Sequence, residues 1–387
     1  MGKTANLIMV TGENNNKFYN MVENGSVIDV TYGRVGCTGR TTTYPIYQWD
    51  EIYRQKINKG YTEITEYKRD VKVSGVNKID NINIRDLVTT LVTKSRNSVK
   101  ENYLVGFDQV TNQQIVEAQN ILDSILEYKI RRIEVSELNR RLLKLYRVIP
   151  RKMKKVQDYL IKDFDTTRIK EIVAKEQELL DNLKTQVTQG NIDADDNNIL
   201  ETAGLTMEDI NDDEKKIILD KLGNNAHQFK RAFKVTNKNT QEKYNQVDIQ
   251  KTELFWHGSR TENWWSIISN GLMIRPTGVV TTGAMFGTGI YFADKAQKSI
   301  GYTSLNSSYW ARGNDTKAYL ALFEVKVGKQ KDIHKHTCSC YDLNYNKIKS
   351  EGYDSVFAHA GSDLRNNEYI VYKAEQVTIK YIVEIGA

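Results

Sequence analysis

The sequence predicts an α+β multidomain chain: a small β-rich domain, then an α-helical bundle, then a mixed α/β domain built on antiparallel sheets. Three observations point there. Residues 1–75 alternate β-branched or aromatic residues with polar ones between turn-forming stretches. Between 76 and 222 the apolar positions recur at helical spacing and trace stripes. From 223 to 387 short apolar runs return, bounded by glycine and polar loops. Strands, then helices, then strands is the pattern of segregated rather than alternating elements.

In the first domain "KFYNMV", "SVIDVTYGRVG" and "TTTYPIYQW" read as strands, separated by "ENGS" and "GCTG". "ENGS" is hairpin chemistry, because Asn and Gly tolerate the positive φ that a tight turn requires. The period then changes. Trp49, Ile52, Tyr53 and Lys56 fall on one face at helical spacing, and Gly60 is suited to end that helix. A small twisted sheet with one helix packed on it is the economical arrangement.

In the middle domain "TTRIKEIVAKEQELLDNL" carries Ile169, Ile172, Val173, Leu179, Leu180 and Leu183 as one apolar stripe, with Thr166 or Thr167 available as its cap. "VSELNRRLLKLYRVIP" repeats the pattern and stops at Pro150. Basic residues are dense between Lys129 and Lys155, whereas "NIDADDNNILETAGLTMEDINDDE" is acidic; both read as solvated surfaces. In the last domain "YLALFEVKVG", "EYIVYKAEQV" and "IKYIVEI" are short apolar strands, and no internal repeat is visible.

Composition sets outer limits. At 387 residues the chain exceeds one ordinary core, and its 40% hydrophobic and 27% charged content is that of a folded protein. Only three prolines are present, so Asn, Asp and the 24 glycines must shape the loops. A net charge of +6 permits nucleic-acid contact without demanding it. Cys37, Cys338 and Cys340 are too few and too irregular for a disulfide framework, which points to a reducing intracellular compartment. No apolar run approaches the ~18 residues that a membrane span needs. "NLIMV" is too short for a signal-peptide core, and "MGKTAN" has Asn6 where a myristoylation signal wants Ser or Thr. No membrane contact is expected.

The chemistry concentrates in the last domain. "FWHGSR" puts His257 directly after an aromatic pair, "GTGIYFAD" supplies Tyr291 and "NNEYIVY" supplies Glu368, each beside a strand-like apolar run. A lone histidine is as easily structural as catalytic. Three sheet positions, however, are able to deliver an imidazole, a phenol and a carboxylate into one cleft; spacing leaves their convergence open. Gly287 and Gly289 in "FGTGIY" lack the third glycine and the following helix of a dinucleotide fingerprint, and read as a turn into a strand. "HKHTCSC" offers His334, His336, Cys338 and Cys340. On a strand these would spread over roughly 20 Å, too far for one tetrahedral zinc, so no metal site is expected.

The blocks "FWHGSRTENW", "MFGTGIYFADKAQKSIGY" and "NNEYIVYKAEQV", in that order, resemble the signature blocks of the poly(ADP-ribose) polymerase catalytic domain. "NNNKFYNM" followed by "VIDVTYGRVGCTGR" resembles the WGR domain, named for Trp-Gly-Arg. "YLVGFDQVTNQQIVEAQNILDSI" followed by "LNRRLLKLYRVIP" is similar to the helical regulatory domain that joins those two in DNA-dependent members. The resemblance thus spans nearly the whole chain, as WGR domain 1–75, helical regulatory domain 76–222 and ADP-ribosyltransferase catalytic domain 223–387.

That resemblance implies an enzyme that consumes NAD+, releases nicotinamide and attaches ADP-ribose to acceptor proteins, itself included, with no metal required. Glu368 matches the catalytic glutamate, which hydrogen-bonds the nicotinamide ribose as charge develops and then polarises the acceptor hydroxyl. A glutamate there favours polymer formation. His257 matches the histidine that holds the adenosine-side ribose, and Gly258 the residue whose backbone clamps the carboxamide. Tyr291 and Tyr302 match the tyrosines that sandwich the nicotinamide ring, Ser299 a serine on the carboxamide and Lys298 a lysine near the reacting ribose; Arg275 lies near the basic position of the donor loop. Tyr32 replaces the tryptophan of the WGR triplet but keeps an aromatic face, and Arg34 keeps the cation, so DNA ends or nicks are expected partners. Location follows DNA: nucleus in a eukaryote, cytoplasm otherwise. "EGYDSVFAHAGSDLRNN" is shorter than the acceptor loop of the long nuclear members, which leaves single ADP-ribose transfer open. An idle scaffold on DNA ends and transfer of ADP-ribose to nucleic-acid ends stay open as well.

Overall fold

The computed structural model describes residues 2–64, 75–107, 110–129, 133–190, 198–274 and 285–386. They form two compact units that interleave in sequence, Met1–Val71 with Asn97–Asn191, and Lys72–Arg96 with Ile192–Ala387.

The first unit opens with strands β1 (Thr4–Thr11), β2 (Asn15–Asn24), β3 (Val27–Arg34) and β4 (Arg40–Pro45), helix α1 (Trp49–Asn58) and strand β5 (Thr62–Ile64). They make an antiparallel sheet in the order β4-β3-β2-β1-β5. Asn24 pairs with Val27 across the turn, where Gly25 takes a φ of 61° that a side chain would resist. α1 lays Trp49 and Ile52 onto Leu7, Tyr19, Met21, Ile28 and Val30, which point to one face of the sheet by strand alternation. The expected sheet with one helix on it is thus present.

Four longer helices follow: α2 (Ile82–Asn102), most of which belongs to the second unit, and α3 (Asn112–Ile125), α4 (Val135–Val148) and α5 (Thr166–Gly190) in the first. α3 starts with a capping box, in which Thr111 Oγ1 accepts from Gln114 N at 3.2 Å and the Gln114 side chain accepts from Thr111 N at 2.9 Å. α4 buries Leu138, Leu142, Leu145 and Tyr146 and ends just before Pro150. The whole stripe of α5 from Ile169 to Leu183 is buried, but its cap is Asp165 rather than a threonine: the carboxylate accepts from Thr167 N at 2.8 Å. A carboxylate at this position also complements the helix dipole, an advantage the hydroxyl lacks.

Polar side chains fasten this unit internally. Asn16 on β2, fully buried, donates to the carbonyls of Arg151 and Met153 at 3.3 Å each, and Arg147 donates to Val10 O at 2.9 and 3.1 Å. Arg151 and Glu176 form an ion pair at 3.2 Å, with side chains 1% and 4% exposed. The Arg151 guanidinium also lies 4.8 Å over the Tyr103 ring, while its Nε and Nη1 have no hydrogen-bond partner among the described residues. Burial pushes the Glu176 carboxyl up, and Arg151 opposes that rise.

The second unit adds α6 (Ile199–Thr202), β6 (Leu205–Asp209), α7 (Asp212–Leu222), β7 (Phe229–Asn237), α8 (Lys238–Asn245), β8 (Thr252–Gly258), α9 (Trp264–Asn270), β9 (Ile290–Phe292), α10 (Ala296–Ile300), β10 (Lys317–Lys326), β11 (Gln330–Ile333), α11 (Tyr345–Ser350), β12 (Ser355–Ala358), β13 (Glu368–Val371) and β14 (Val377–Gly386). Its sheets run β6-β7-β14-β10-β8 and β11-β12-β13-β9. The mixed α/β character and the antiparallel sheets match expectation, with β11 and β12 as a parallel exception. Residues 75–96 and 198–222, which the sequence groups with the middle helices, share a core with the first of these sheets: Leu87, Val88 and Leu91 pack with Leu200, Phe233, Trp264 and Phe323. Among the described residues no helix is long and apolar enough to cross a membrane.

Removing one partner of the Arg151–Glu176 pair strands a charge in a dry interior. Glu176→Ala is expected to lower the unfolding free energy by about 3–5 kcal/mol. Replacing both residues with apolar ones of similar volume should cost far less, and denaturant midpoints of the full chain measure the difference.

Candidate active site

The site begins at a seam between the two sheets of the second unit. Trp256 at the edge strand β8 and Ala293 just past β9 exchange both backbone hydrogen bonds, at 2.8 and 3.0 Å. On one side of the seam β8 continues into His257 and Gly258; on the other, β9 carries Tyr291 and pairs it with Ile370 of β13, the strand that starts at Glu368. α10 and the turn after it supply Lys298, Ser299 and Tyr302.

Each of these side chains is held. His257 sits among Trp264, Phe292 and Phe323, all edge-on with ring centroids 5.8–6.4 Å away. Its Nδ1 lies 3.1 Å from Tyr291 O; a carbonyl only accepts, so Nδ1 carries the proton. Burial pushes the imidazole down to about 4, and the neutral ring therefore presents Nε2 as an acceptor. Tyr291 donates its hydroxyl proton to Gly287 O at 2.8 Å and accepts from Phe286 N at 3.0 Å, which fixes the ring. Burial raises this phenol well above its ordinary value. Tyr302 is pushed up to about 12, by burial first and then by the Glu368 charge.

Glu368 is 6% exposed. One carboxylate oxygen is ion-paired with Lys298 Nζ, and the other, Oε2, has no hydrogen-bond partner among the described residues. A buried acceptor without a donor is costly unless a ligand supplies one, and a sugar hydroxyl would. Gly258 faces the backbone of buried Ser299, where an added Cβ would stand 1.9 Å from Ser299 O. Gly258 therefore packs directly on the main chain at Ser299, an approach that any side chain would block.

Seven of the residues singled out in sequence, His257, Gly258, Tyr291, Lys298, Ser299, Tyr302 and Glu368, belong to this one unit around the seam. Arg275 lies outside the described residues. Tyr32 and Arg34 belong to the first unit. Tyr32 is 36% exposed, with its ring 5.9 Å from that of Tyr19. Arg34 donates to Asn14 O at 3.3 Å, to Asn14 Oδ1 at 2.9 Å and to Lys154 O. In "HKHTCSC", His334 stacks on His359 at 4.0 Å, and His336 donates to Met285 O at 2.9 Å. Among the described residues no three His, Cys, Asp or Glu side chains are grouped to hold a metal ion.

Sequence reasoning missed Asn367. Its Nδ2 donates to Asp294 Oδ2 at 2.8 Å and its Oδ1 accepts from Ala360 N at 2.9 Å, so it ties the strand start at Glu368 to the seam and to the preceding loop. The signal was a polar residue flanking the carboxylate in "NNEYIVY".

Residues 216–386 match the family model of the poly(ADP-ribose) polymerase catalytic domain. A putative poly [ADP-ribose] polymerase-like protein, 100L of Invertebrate iridescent virus 6, is 37% identical over 140 residues, which is 35% of this chain and 72% of that protein. The uncharacterized protein 101L of the same virus is 34% identical over 182 residues, 47% and 76% of the two chains. Poly [ADP-ribose] polymerase 2 of Arabidopsis thaliana is 32% identical over 155 residues, 34% of this chain and 23% of the plant protein. Fold and cleft are those of an NAD+ ADP-ribosyltransferase, an enzyme whose substrate is NAD+. The chain belongs to the poly(ADP-ribose) polymerase family.

Two outcomes follow from this geometry. Gly258→Ala forces a methyl into the Ser299 backbone and is expected to lower stability by about 1–3 kcal/mol and to remove most nicotinamide release, read by melting and by labelled NAD+. His257 has an ordinary value of 6.5 and a folded value of about 4. The unfolded chain therefore binds its proton first on acidification, and the stability this residue contributes is full above about 6.5 and lost as pH falls to about 4. His257→Gln should flatten the denaturation midpoint across that window.

Proposed function

We propose that this chain is a poly(ADP-ribosyl)transferase, stimulated by DNA breaks, that modifies acceptor proteins and itself. The observation that carries the reading is Glu368, buried, with one oxygen fixed by Lys298 and the other awaiting a donor. Breaking a glycosidic bond passes through an oxocarbenium-like transition state, and a hydrogen bond to the 2-hydroxyl strengthens as positive charge grows. Glu368 Oε2 accepts that hydroxyl. In the same position it later accepts from the hydroxyl of an incoming ADP-ribose, which is the basis for chain growth.

The other residues bind and orient. Neutral His257 accepts a hydroxyl of the adenosine-side ribose at Nε2, since Nδ1 is committed to Tyr291 O. Gly258 clamps the carboxamide with its backbone, and Ser299 adds a hydroxyl to the same group. Tyr291 and Tyr302 stack on the nicotinamide ring, Lys298 lies by the reacting ribose, and Arg275, outside the described residues, is the expected basic contact to the donor. Several similar proteins carry the name poly [ADP-ribose] polymerase, which supports polymer formation. Tyr32, exposed, and Arg34, part-buried, both near the end of β3, are the proposed contacts to DNA ends or nicks, which sets the location as the nucleus in a eukaryote and the cytoplasm otherwise. Single transfer is the second reading, favoured by the short connection of residues 359–367 between β12 and β13.

The test incubates the full chain with labelled NAD+, with and without nicked or blunt duplex. A DNA-dependent ladder that collapses in Glu368→Gln is the expected result. A sharp band indifferent to DNA would discard both polymer formation and stimulation while keeping the transferase.

A further inference from the structure

The chain leaving Tyr302 does not go straight to β10 but turns back on Gly301. Residues 303–316 read "TSLNSSYWARGNDT". Isolated bridges join Leu305 to Asp315 and Asn306 to Gly313, Gly313 N donates to Ser308 Oγ at 2.7 Å, and Lys94 pairs with Asp315 at 2.9 Å. The tip of the excursion is anchored at its own start: Trp310 N and Ala311 N both donate to Gly301 O, at 2.8 and 3.0 Å. A Cβ on Gly301 would come within 3.0 Å of Trp310 Cδ1, so the missing side chain lets the indole sit close.

That anchoring brings the Trp310 ring to 5.9 Å from the Tyr302 ring at an interplanar angle of 19°, within the range of offset-stacked aromatic pairs. Tyr309 meets the same indole edge-on, at 4.6 Å and 88°. The pair is unusually exposed. Trp49, Trp256, Trp264 and Trp265 are at most 9% exposed, whereas Trp310 is 50% and Tyr309 70% exposed. Two large rings left in water beside a half-buried tyrosine gain little for folding, and a concentrated exposed aromatic surface is the sort that contacts a ligand.

We propose that Trp310 is a positioning residue of the donor pocket: it holds the Tyr302 ring in the orientation that stacks on a flat aromatic carboxamide, and with Tyr309 it extends that wall. The inference rests on the assignment of Tyr302 to the nicotinamide ring. Tyr302 is free to turn about two side-chain bonds, and stacking against an anchored indole removes that freedom before the ligand arrives. Because Trp310 acts through a binding wall and not through Glu368, its contribution belongs to binding more than to the chemical step.

The experiment uses the full chain and nicotinamide as probe, with Trp310→Ala, Trp310→Phe and Tyr302→Ala beside it. Trp310→Ala is expected to weaken nicotinamide binding, measured by calorimetry, about 2- to 12-fold, the contribution of one aromatic pair. KM for NAD+ should rise by a similar factor with kcat changed by less than about twofold, and Trp310→Phe should restore both. Trp310, as the one exposed indole among five, should also change its emission when nicotinamide binds. Unchanged nicotinamide affinity in Trp310→Ala, with Tyr302→Ala impaired, overturns the role of Trp310 and leaves the pocket standing. Unchanged affinity in both variants removes the Tyr302 assignment and this inference with it. A fall in kcat at constant KM, not restored by Phe, likewise sinks the positioning role.

Discussion

The backbone exchange between Trp256 and Ala293 is the interaction on which the catalytic unit depends. It is two hydrogen bonds long, yet it makes the edge of one sheet the start of the next. The proposed site residues are counted from it: His257 and Gly258 follow Trp256 directly, Tyr291 precedes Ala293 by two positions, and β13 brings Glu368 alongside by pairing with β9. Trp256 itself is fully buried and its indole N–H donates to Lys221 O at 3.0 Å, so the seam is clamped from within. Functional groups placed on two strand edges in this way are set by main-chain register, which side-chain substitution disturbs little.

Strand and helix identity was legible because alternation and helical spacing report burial directly. The sheet with α1, the stripe of α5 and the strands β10 and β14 stand where periodicity put them, whereas the run 368–377 is strand only over Glu368–Val371 and then turns. The cap of α5 was misread between two threonines because sequence offers three adjacent cap formers, and only the dipole-favoured carboxylate is used. The grouping of residues 75–96 with the second unit was not visible, since an apolar stripe shows that a helix is buried but not what buries it. At the site the carboxylate, imidazole and phenol stood out by motif. Asn367 and Trp310 did not: one is a polar neighbour whose value lies in a contact across strands, the other a ring whose meaning depends on a loop folding back.

The two units use buried polarity differently. In the second, the buried acceptor at Glu368 Oε2 has no hydrogen-bond partner among the described residues, at the position proposed to meet a substrate hydroxyl. In the first, polar groups are directed at the protein itself: Arg151 at Glu176, Asn16 at two carbonyls, Gln119 and Gln177 at each other through a reciprocal amide pair at 2.7 and 2.8 Å. These contacts specify one arrangement within the unit, although Arg151 Nε and Nη1 and Asn16 Oδ1 find no hydrogen-bond partner among the described residues.

Arg34 joins these themes. Its guanidinium already serves Asn14 and the Lys154 carbonyl, and Asn14, at a φ of 66°, also accepts from Val156 N at 2.9 Å. An anion that recruits this side chain competes with those internal acceptors, so its apparent affinity is reduced by the free energy of releasing them. By reciprocity, anything that loosens the segment around residue 154 hands the guanidinium to the anion and tightens its binding. The arginine is in effect a shared currency between the strand that displays it and the connection between α4 and α5 that holds it.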